Sequence, residues 1–376
     1  MSTTSMAAVL YAEREPLVLE QLDVADPRPD EVQIAVAASG ICASDVHLAD
    51  GTLEIPGLPA YPLPVVPGHE AAGIVERVGS AVRRVQPGDH VIVNIYPGCG
   101  YCDDCICGRA SHCSQMRPGE LPSGGSRLSR RGRPIHQMSN CSSFSERTVV
   151  PARGCIKIPN RMPLDRACLI GCGVATAYGA VFRNAAVQPG HSVLVVGVGG
   201  VGLNVVQAAV VAGATTIIAV DSGQGRLDQA VEFGATHTLD AADLDWPRRV
   251  ADLTGGGVDR GFEVVSTPGT VRQAYEATRD GGLLTVVGLA PPGSTVTLPT
   301  VPSKGFARGG LRWTQPVVDY SVLVQLYLAG RVKLDELISQ ERPLMEVNDV
   351  LDEIRRGEHR GRVILTNRAV LERSHH

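Results

Sequence analysis

A chain of 376 residues is longer than one hydrophobic core of ordinary size, so we expect two domains. Hydrophobic residues make up 44% of the sequence and charged residues 20%, which is typical of a globular protein with enough apolar material for two cores. The formal net charge of −4 provides no basic field for a polyanion and argues against nucleic-acid binding.

The sequence shows no sign of export or of a membrane span. The N-terminus, MSTTSMAAVLYAERE, lacks the basic start and apolar stretch of a signal peptide. The most apolar run, SVLVVGVGGVGLNVVQAAVVAGATTIIAV, is interrupted by glycines, which favours buried strands and a helix. We therefore expect a soluble, cytoplasmic protein with no membrane partner. In that compartment clustered cysteines are more often metal ligands than disulfides.

The first 150 residues contain short runs typical of strands, separated by turn signals such as DPRPDE and QPGDH. The runs are AAVLYA, LVLEQLDV, EVQIAVAASGI, AAGIVERVG and DHVIVNI. They predict a small β-rich domain or barrel.

From about residue 190 apolar runs alternate with segments of helical length. The runs are SVLVV, TTIIAV, THTL, GFEVV and LLTVVGL, and the segments include VGLNVVQAAVVAGA, GRLDQAVEFGA and VRQAYEATRDGG. The alternation predicts βαβ units and a parallel sheet covered on both faces. After about residue 312 the pattern gives way to helices such as YSVLVQLYLAG and a final strand-like run, GRVILTN.

A glycine-rich loop follows the first strand of this series and opens a helix. Its expected cofactor-binding residues are Gly197, Gly199, Gly200, Val201 and Gly202. The G-x-G-x-x-G spacing in this context predicts a dinucleotide site, with the pyrophosphate at the helix N-terminus. Asp221 ends the next strand, where a carboxylate would bind the adenosine ribose and repel a 2′-phosphate, which favours NAD over NADP. The alternatives are a tight turn without a ligand and an aspartate that only caps a helix.

The stretch GCGYCDDCICGRASHC, residues 98–113, contains five cysteines. Four of them follow a C-x2-C-x2-C-x7-C spacing: Cys99, Cys102, Cys105 and Cys113. Four thiolates at short spacings suit a closed, tetrahedral zinc site, which is structural because it leaves no open position. Cys107 and His112 fall outside the spacing, although Cys107 is an alternative third ligand. Reduced, unliganded thiols and disulfides are the other interpretations.

A second set of ligand-type residues is scattered along the chain. GICASDVH contains Cys42, PGHEAAG contains His69 and Glu70, and LIGCGVATAYG contains Cys172. Two thiolates and one imidazole would leave a fourth zinc position open for water or a substrate oxygen. Spacing alone does not show that these residues converge, and three other cysteines are rival third ligands: Cys141, Cys155 and Cys168.

Together these motifs resemble those of the zinc-dependent alcohol dehydrogenases in the medium-chain dehydrogenase/reductase superfamily, from AAVLYA to RVILT. The resemblance implies an α/β fold in which a GroES-like β-rich catalytic domain spans 1–173, with a structural zinc lobe at about 98–114. A Rossmann NAD-binding domain spans 174–312, and a C-terminal segment, 313–376, completes the catalytic domain. It also implies a homodimer or homotetramer that associates through the Rossmann domains, with SKGFARGGLRW as a candidate edge.

The resemblance assigns the metal ligands. It places a catalytic zinc on Cys42, His69 and Cys172, and a structural zinc on the four-cysteine cluster. By the same likeness Asp45 orients the liganding histidine, and Glu70 is an acidic neighbour that approaches the metal during ligand exchange.

It also assigns the proton path and the cofactor contacts. Ser44 and His47 match a relay in which the serine hydroxyl passes the alcohol proton through the cofactor ribose to histidine. The alternatives are a purely structural hydroxyl for Ser44 and a solvated surface histidine for His47. Thr176 matches a residue packed against the nicotinamide. Arg226 and Arg362 match basic residues near the adenosine and the pyrophosphate. The implied reaction is hydride transfer between an alcohol and NAD.

Several positions depart from the family pattern. The linker between Cys42 and His69 carries a Pro/Gly-rich insertion, Ala43 replaces a basic residue, and Ile95 replaces an aromatic pocket residue. A roomier cleft favours a bulky, aromatic or terpenoid-type alcohol or aldehyde.

Three alternatives accompany this interpretation. Arg117 resembles the arginine that binds the substrate carboxylate in glutathione-dependent formaldehyde dehydrogenases, so a thiol-adduct formaldehyde dehydrogenase is the first. An ordinary surface or interface arginine is the other interpretation of Arg117, and it is preferred. A zinc-free quinone or enone reductase is disfavoured by the Cys/His ligand set. A non-enzymatic zinc-lobed binding protein would need neither an open metal position nor a dinucleotide fold.

Overall fold

The structure is a computed structural model that describes residues 3–55, 58–291, 293–299, 303–358 and 361–374. Within those ranges, no helix is both long enough and apolar enough to cross a membrane. The chain divides into two compact units. The first comprises Met1–Cys172, Gln315–Leu328 and Leu334–His376, and the second comprises Gly173–Thr314 and Ala329–Lys333.

The N-terminal part of the first unit is rich in strands, as the sequence predicts. Its strands are β1 (Thr3–Val9), β2 (Val18–Val24), β3 (Glu31–Gly40), β4 (Val65–Val66), β5 (Glu70–Val78), β6 (His90–Val93), β7 (Leu128–Arg130), β8 (Arg133–Gln137), β9 (Arg147–Pro151) and β10 (Cys155–Lys157). Its helices are α1 (Ala43–Ala49), α2 (Asp103–Ile106) and α3 (Leu164–Ala167).

The second unit alternates helices and strands. After α4 (Gly173–Tyr178) and a π-helical turn (Gly179–Asn184), the elements are β11 (Ser192–Val196), α5 (Gly200–Val211), β12 (Thr216–Asp221), α6 (Gln224–Glu232), β13 (His237–Asp240), α7 (Trp246–Thr254), β14 (Val258–Glu263), α8 (Pro268–Glu276), β15 (Thr278–Val286) and β16 (Gly305–Arg308).

The last part of the chain returns mainly to the first unit. Its elements are α9 (Pro316–Leu328), β17 (Ile338–Pro343), α10 (Val347–Arg355), β18 (Arg362–Thr366) and α11 (Arg368–Arg373).

Two sheets form the first unit, and β3 is the central strand of the larger one. The strand order is β10-β6-β5-β3-β18-β17, with β9 also paired to β3, and the smaller sheet runs β1-β2-β7-β8-β4. Every residue of β3 is buried, which explains its long apolar run. The C-terminal strand β18 pairs antiparallel with β3, so the end of the chain completes the sheet that carries the N-terminal motifs.

One six-stranded sheet forms the centre of the second unit. Its order is β13-β12-β11-β14-β15-β16, and each neighbouring pair is parallel. Numbered within this unit, the order is 3-2-1-4-5-6, the arrangement of a Rossmann fold. The predicted α/β class with a parallel sheet is confirmed.

One predicted helix is shorter than its sequence segment. VRQAYEATRDGG has helical length, but α8 ends at Glu276 and β15 begins at Thr278. Thr278 pairs with Val258, and a register shift follows before Leu283 pairs with Arg260. The polar residues between these pairs therefore belong to the irregular start of β15. The length of the sequence segment does not predict that the helix ends before them.

Candidate active site

The cysteine lobe brings its four spaced cysteines together. Cys99 Sγ lies 3.9 Å from Cys105 Sγ, and Cys102 Sγ lies 3.8 Å from Cys113 Sγ. The four sulfurs all lie within 4.8 Å of one another. A tetrahedron with metal–sulfur bonds of about 2.3 Å has sulfur–sulfur edges of about 3.8 Å, so this geometry fits a zinc ion.

Backbone amides around the lobe favour the thiolate form of its sulfurs. The Cys99 and Gln115 N–H groups donate to Cys113 Sγ at 3.3 and 3.4 Å, and the Cys102 N–H donates to Cys99 Sγ at 3.4 Å. Burial opposes ionisation of Cys99, but backbone donors lower the pKa of its thiol to about 6. Burial raises the pKa of Cys105 to about 12. A cation among the four sulfurs would stabilise the remaining thiolates. Among the described residues, the group of converging sulfurs does not include Cys107, which is exposed.

A second group forms where α1, β5 and the segment before α4 meet. Cys42 caps the N-terminus of α1, His69 and Glu70 lie at the start of β5, and Cys172 precedes α4. One ligand atom from each of these four lies within 4.8 Å of the others. In the described part of the chain, the group contains none of the rival cysteines, and burial raises the pKa of all three: Cys141, Cys155 and Cys168.

Asp45 fixes two members of this group. Its Oδ1 lies 3.1 Å from His69 Nδ1 and accepts the Gly68 N–H at 3.1 Å, while Oδ2 accepts the Cys42 N–H at 2.9 Å. Both Asp45 and His69 are buried. With Nδ1 directed at the carboxylate, His69 keeps Nε2 available for a metal.

Charge pairing in the group suits a cation. Burial lowers the pKa of His69, yet the Asp45 and Cys172 charges raise it well above its ordinary value. A hydrogen bond from Cys172 holds the pKa of Cys42 well below its ordinary range. Two sulfurs and one imidazole nitrogen are a zinc donor set that leaves a position open.

Glu70 contributes a carboxylate held by Arg362. Arg362 Nη2 donates to Glu70 Oε2 at 2.6 Å and to the Ile41 carbonyl at 3.0 Å, and both charged side chains are buried. Glu70 Oε1 is buried and has no hydrogen-bond partner among the described residues. An unpartnered, buried carboxylate oxygen on a member of this group is a further feature that fits a metal ion. The sequence did not predict the pairing of Arg362 with Glu70.

The candidate relay residues lie on α1. Ser44 Oγ lies 3.8 Å from Cys42 Sγ, and His47 is exposed. His47 Nδ1 is 3.0 Å from Thr52 Oγ1, a contact that the sequence analysis missed. The arrangement places a hydroxyl beside the sulfur group and a titratable imidazole in contact with solvent.

A narrow pocket lies in the same unit as this group. Its walls include residues of the insertion and of the segment after the cysteine lobe: Ile55, Leu58, Tyr61, Ile95, Tyr96, Met116, Arg117, Pro118, Ser139 and Asn140. Tyr61 donates to or accepts from Ser139 Oγ at 3.0 Å. Burial raises the pKa of Tyr61.

The second unit carries the glycine-rich loop. Gly197 has a φ of +86°, which favours glycine, and a Cβ on Gly202 would lie 1.9 Å from the Gly197 carbonyl oxygen. A Cβ on Gly199 would meet nothing within 4 Å. Closely packed glycines on one side and open space on the other form a cradle that fits a pyrophosphate at the N-terminus of α5.

Asp221 and Arg226 meet beside this loop. Asp221 Oδ2 accepts the Val198 N–H at 3.0 Å, and Oδ1 accepts the Gly223 N–H at 2.9 Å and Arg226 Nε at 2.8 Å. The other predicted cofactor contact in this unit is Thr176, whose side chain is half-buried in α4. Glu263, a fully buried acid at the end of β14, belongs to none of the motifs recognised in the sequence. Its acidic side chain inside the apolar run GFEVV is the signal that marks it.

Comparisons with known proteins agree with this architecture. Residues 28–160 match the alcohol dehydrogenase GroES-like domain, and residues 200–321 match the zinc-binding dehydrogenase family. An NDMA-dependent alcohol dehydrogenase from Amycolatopsis methanolica is 37% identical over 96% of this chain and 98% of its own length. The chain belongs to the zinc-dependent alcohol dehydrogenase family of the medium-chain dehydrogenase/reductase superfamily.

Other members have similar sequences and structures. A probable S-(hydroxymethyl)glutathione dehydrogenase 1 from Schizosaccharomyces pombe is 37% identical over 94% of this chain and 95% of its own length. The structure of benzyl alcohol dehydrogenase from Acinetobacter calcoaceticus matches with a TM-score of 0.89 and 29% identity, covering 97% of this chain and 99% of that chain. Family membership supports an oxidoreductase that uses zinc and a nucleotide cofactor.

Proposed function

We propose that the protein is an NAD-dependent alcohol dehydrogenase that holds two zinc ions per subunit and acts on bulky or aromatic alcohols and their aldehydes or ketones. The observation that carries the proposal is the convergence of the donor atoms of Cys42, His69 and Cys172 within 4.8 Å of one another. Two sulfurs and one imidazole are a zinc donor set that can leave a fourth position for substrate. The four-cysteine lobe is proposed to hold the second, structural ion.

The chain's own residues would orient the reactants and move the proton. When bound, zinc supplies a Lewis acid for the substrate oxygen, and NAD supplies the hydride acceptor. Asp45 keeps His69 in the tautomer and orientation that a metal ligand needs. Ser44 would take the alcohol proton, and the exposed imidazole of His47 would release it to solvent.

The second unit's residues support NAD as the dinucleotide. At the end of β12, Asp221 would bind the ribose hydroxyls and repel a 2′-phosphate, and its pairing with Arg226 holds the carboxylate in one orientation. Thr176, Arg226 and Arg362 are proposed cofactor contacts. On this assignment 1–173 and 313–376 form the catalytic domain and 174–312 the NAD-binding domain. The cytoplasmic location stays a prediction.

The lining of the narrow pocket supports an apolar substrate, although its volume of about 20 Å³ is that of roughly one water molecule and not the roomier cleft expected from Ile95. Ile55, Leu58, Ile95 and Met116 give it apolar walls, and Tyr61 and Tyr96 add aromatic ones. Aromatic side chains favour flat, apolar substrates. A relative of similar structure is a benzyl alcohol dehydrogenase, which agrees with this choice.

The test is NAD reduction by the zinc-loaded protein across alcohols from ethanol to benzylic and terpenoid ones. We expect turnover without any thiol, and higher kcat/KM for the larger alcohols. NDMA is tried in parallel, because one relative is NDMA-dependent. Zinc and NAD binding without turnover of any alcohol would contradict the proposal.

A second candidate function is oxidation of a thiol–formaldehyde adduct. Arg117 lines the same pocket as Tyr61, where an exposed guanidinium could bind a carboxylate of the thiol. Formaldehyde is therefore tested with and without glutathione or another low-molecular-weight thiol. Turnover only in the presence of the thiol, lost in Arg117→Ala, would replace the first proposal with the second.

A further inference from the structure

Glu263 is a fully buried carboxylate that the proposed reaction does not use. Its Oε1 accepts the Val265 N–H at 3.0 Å, the Ser266 N–H at 2.8 Å and the Thr270 hydroxyl at 2.8 Å. Its Oε2 accepts the Ser266 N–H at 2.9 Å. Since all of these donors lie within the next seven residues, the carboxylate organises the turn that follows β14.

That turn has a backbone conformation that non-glycine residues seldom adopt. Ser266 has a φ of +64°, in the left-handed region, and is buried. The Ser266 N–H bonds both oxygens of Glu263, so the carboxylate holds this residue in its unfavourable conformation.

The same turn supports the glycine-rich loop. Glu263 is the register partner of Val196, the residue that precedes Gly197. A Cβ on Gly197 would lie 2.5 Å from the Val265 side chain, so Val265 occupies the space directly beside the first glycine of the loop. Ligands of such sheets bind at the carboxyl ends of the strands, where these residues lie.

We propose that Glu263 is a positioning residue for the dinucleotide. It holds Ser266 in the left-handed conformation, which keeps Val265 against Gly197 and the glycine-rich loop in its binding shape. The inference rests on the proposed NAD site.

The test is NADH binding, measured by NADH fluorescence, to four full-length proteins: unchanged, Glu263→Gln, Ser266→Gly and the double variant. The amide of Glu263→Gln directs an N–H2 group at groups that are themselves donors, so we expect the Kd for NADH to rise about tenfold. Glycine adopts the left-handed conformation without a clamp, so adding Ser266→Gly is expected to restore most of the affinity. Ser266→Gly alone should leave the Kd nearly unchanged.

The outcomes separate positioning from general stability. If Glu263 is purely structural, Glu263→Gln lowers the thermal midpoint of unfolding, and the double variant does not recover the Kd for NADH. That result would overturn the proposal. A Kd for NADH that is unchanged in Glu263→Gln would overturn it as well. The control Glu276→Gln changes an exposed carboxylate at the end of α8 and should leave the Kd as it was.

Two other results are possible: Glu263→Gln does not fold, or the unchanged protein does not bind NADH. If Glu263→Gln does not fold, Thr270→Val removes one donor to the carboxylate, and a Kd for NADH equal to that of the unchanged protein would then overturn the inference. If the unchanged protein binds no NADH, the proposed cofactor is wrong and the inference fails with it. If NADH binds to the unchanged protein and to Glu263→Gln with the same Kd, the inference is wrong, while the proposed NAD site stands.

Discussion

At the scale of single residues, Asp45 connects two of the proposed zinc ligands through one buried carboxylate. We predict that Asp45→Asn lowers zinc affinity at the proposed catalytic site by about 10- to 100-fold, the usual effect of losing such a partner. Zinc per subunit during dialysis against a chelator checks this. Asp50→Asn changes an acid at the end of the same helix, paired with Arg355, and should have no effect. Equal zinc retention in the two variants would contradict the role of Asp45.

Asp259 gives a pH-dependent prediction at the same scale. Burial alone would raise its pKa, but the Ser192 N–H and hydroxyl and the Arg279 guanidinium lower it to about 2. Because this pKa lies below the ordinary value of 3.8, the stabilisation is present above about pH 4 and is lost as pH falls toward 2.

Asp259→Asn should therefore lower the free energy of unfolding by about 2 kcal/mol at neutral pH. Urea unfolding at a series of pH values checks this, and the difference between the two proteins should shrink below pH 4. The exposed Asp252, changed to asparagine, is the control. A difference that stays constant down to pH 3 would show that the carboxylate charge is not the cause.

At the scale of elements, the cysteine lobe has little apolar material of its own and exposes Tyr101 and Ile106. We predict that Cys105→Ser removes about one zinc ion per subunit and makes residues 98–113 sensitive to protease, since a metal replaces a core in so small a lobe. Metal analysis and limited proteolysis check both effects.

Cys107→Ser is the matched control, because Cys107 is exposed and lies outside the group of four. It should keep both zinc ions and the protease resistance. Loss of zinc in this variant, with retention in Cys105→Ser, would make Cys107 the third ligand.

The cysteine lobe and the glycine-rich loop show which parts of the site the sequence can predict. The short cysteine spacings and the glycine loop are local, so their residues are close in space wherever the fold puts them. The Cys42–His69–Cys172 group depends on α1, β5 and the segment before α4 meeting, which spacing does not determine; the resemblance to a family supplied it. The Arg362–Glu70 pair and the turn after Glu263 depend on how the chain folds, so the sequence predicts neither.

At the scale of the whole molecule, the alternation of apolar runs was enough to predict the α/β class and the parallel sheet. Helix and strand limits were less predictable, as at the junction of α8 and β15, because a register shift in the sheet decides where the strand begins. The predicted homo-oligomer stays a prediction, and it concerns the last strand of this sheet.

That strand, β16, lies at the end of the parallel sheet and, among the described strands, pairs only with β15. Phe306 on this strand is 44% exposed. An open edge with an exposed aromatic residue is suited to pairing with a second copy, and edge lysines oppose such pairing. We predict that Phe306→Lys converts a dimer or tetramer to single chains, as measured by sedimentation equilibrium. Val231→Lys, at an exposed apolar position on α6, should keep the oligomer. An unchanged protein that sediments as a monomer, or a Phe306→Lys variant that keeps its mass, would contradict assembly through this edge.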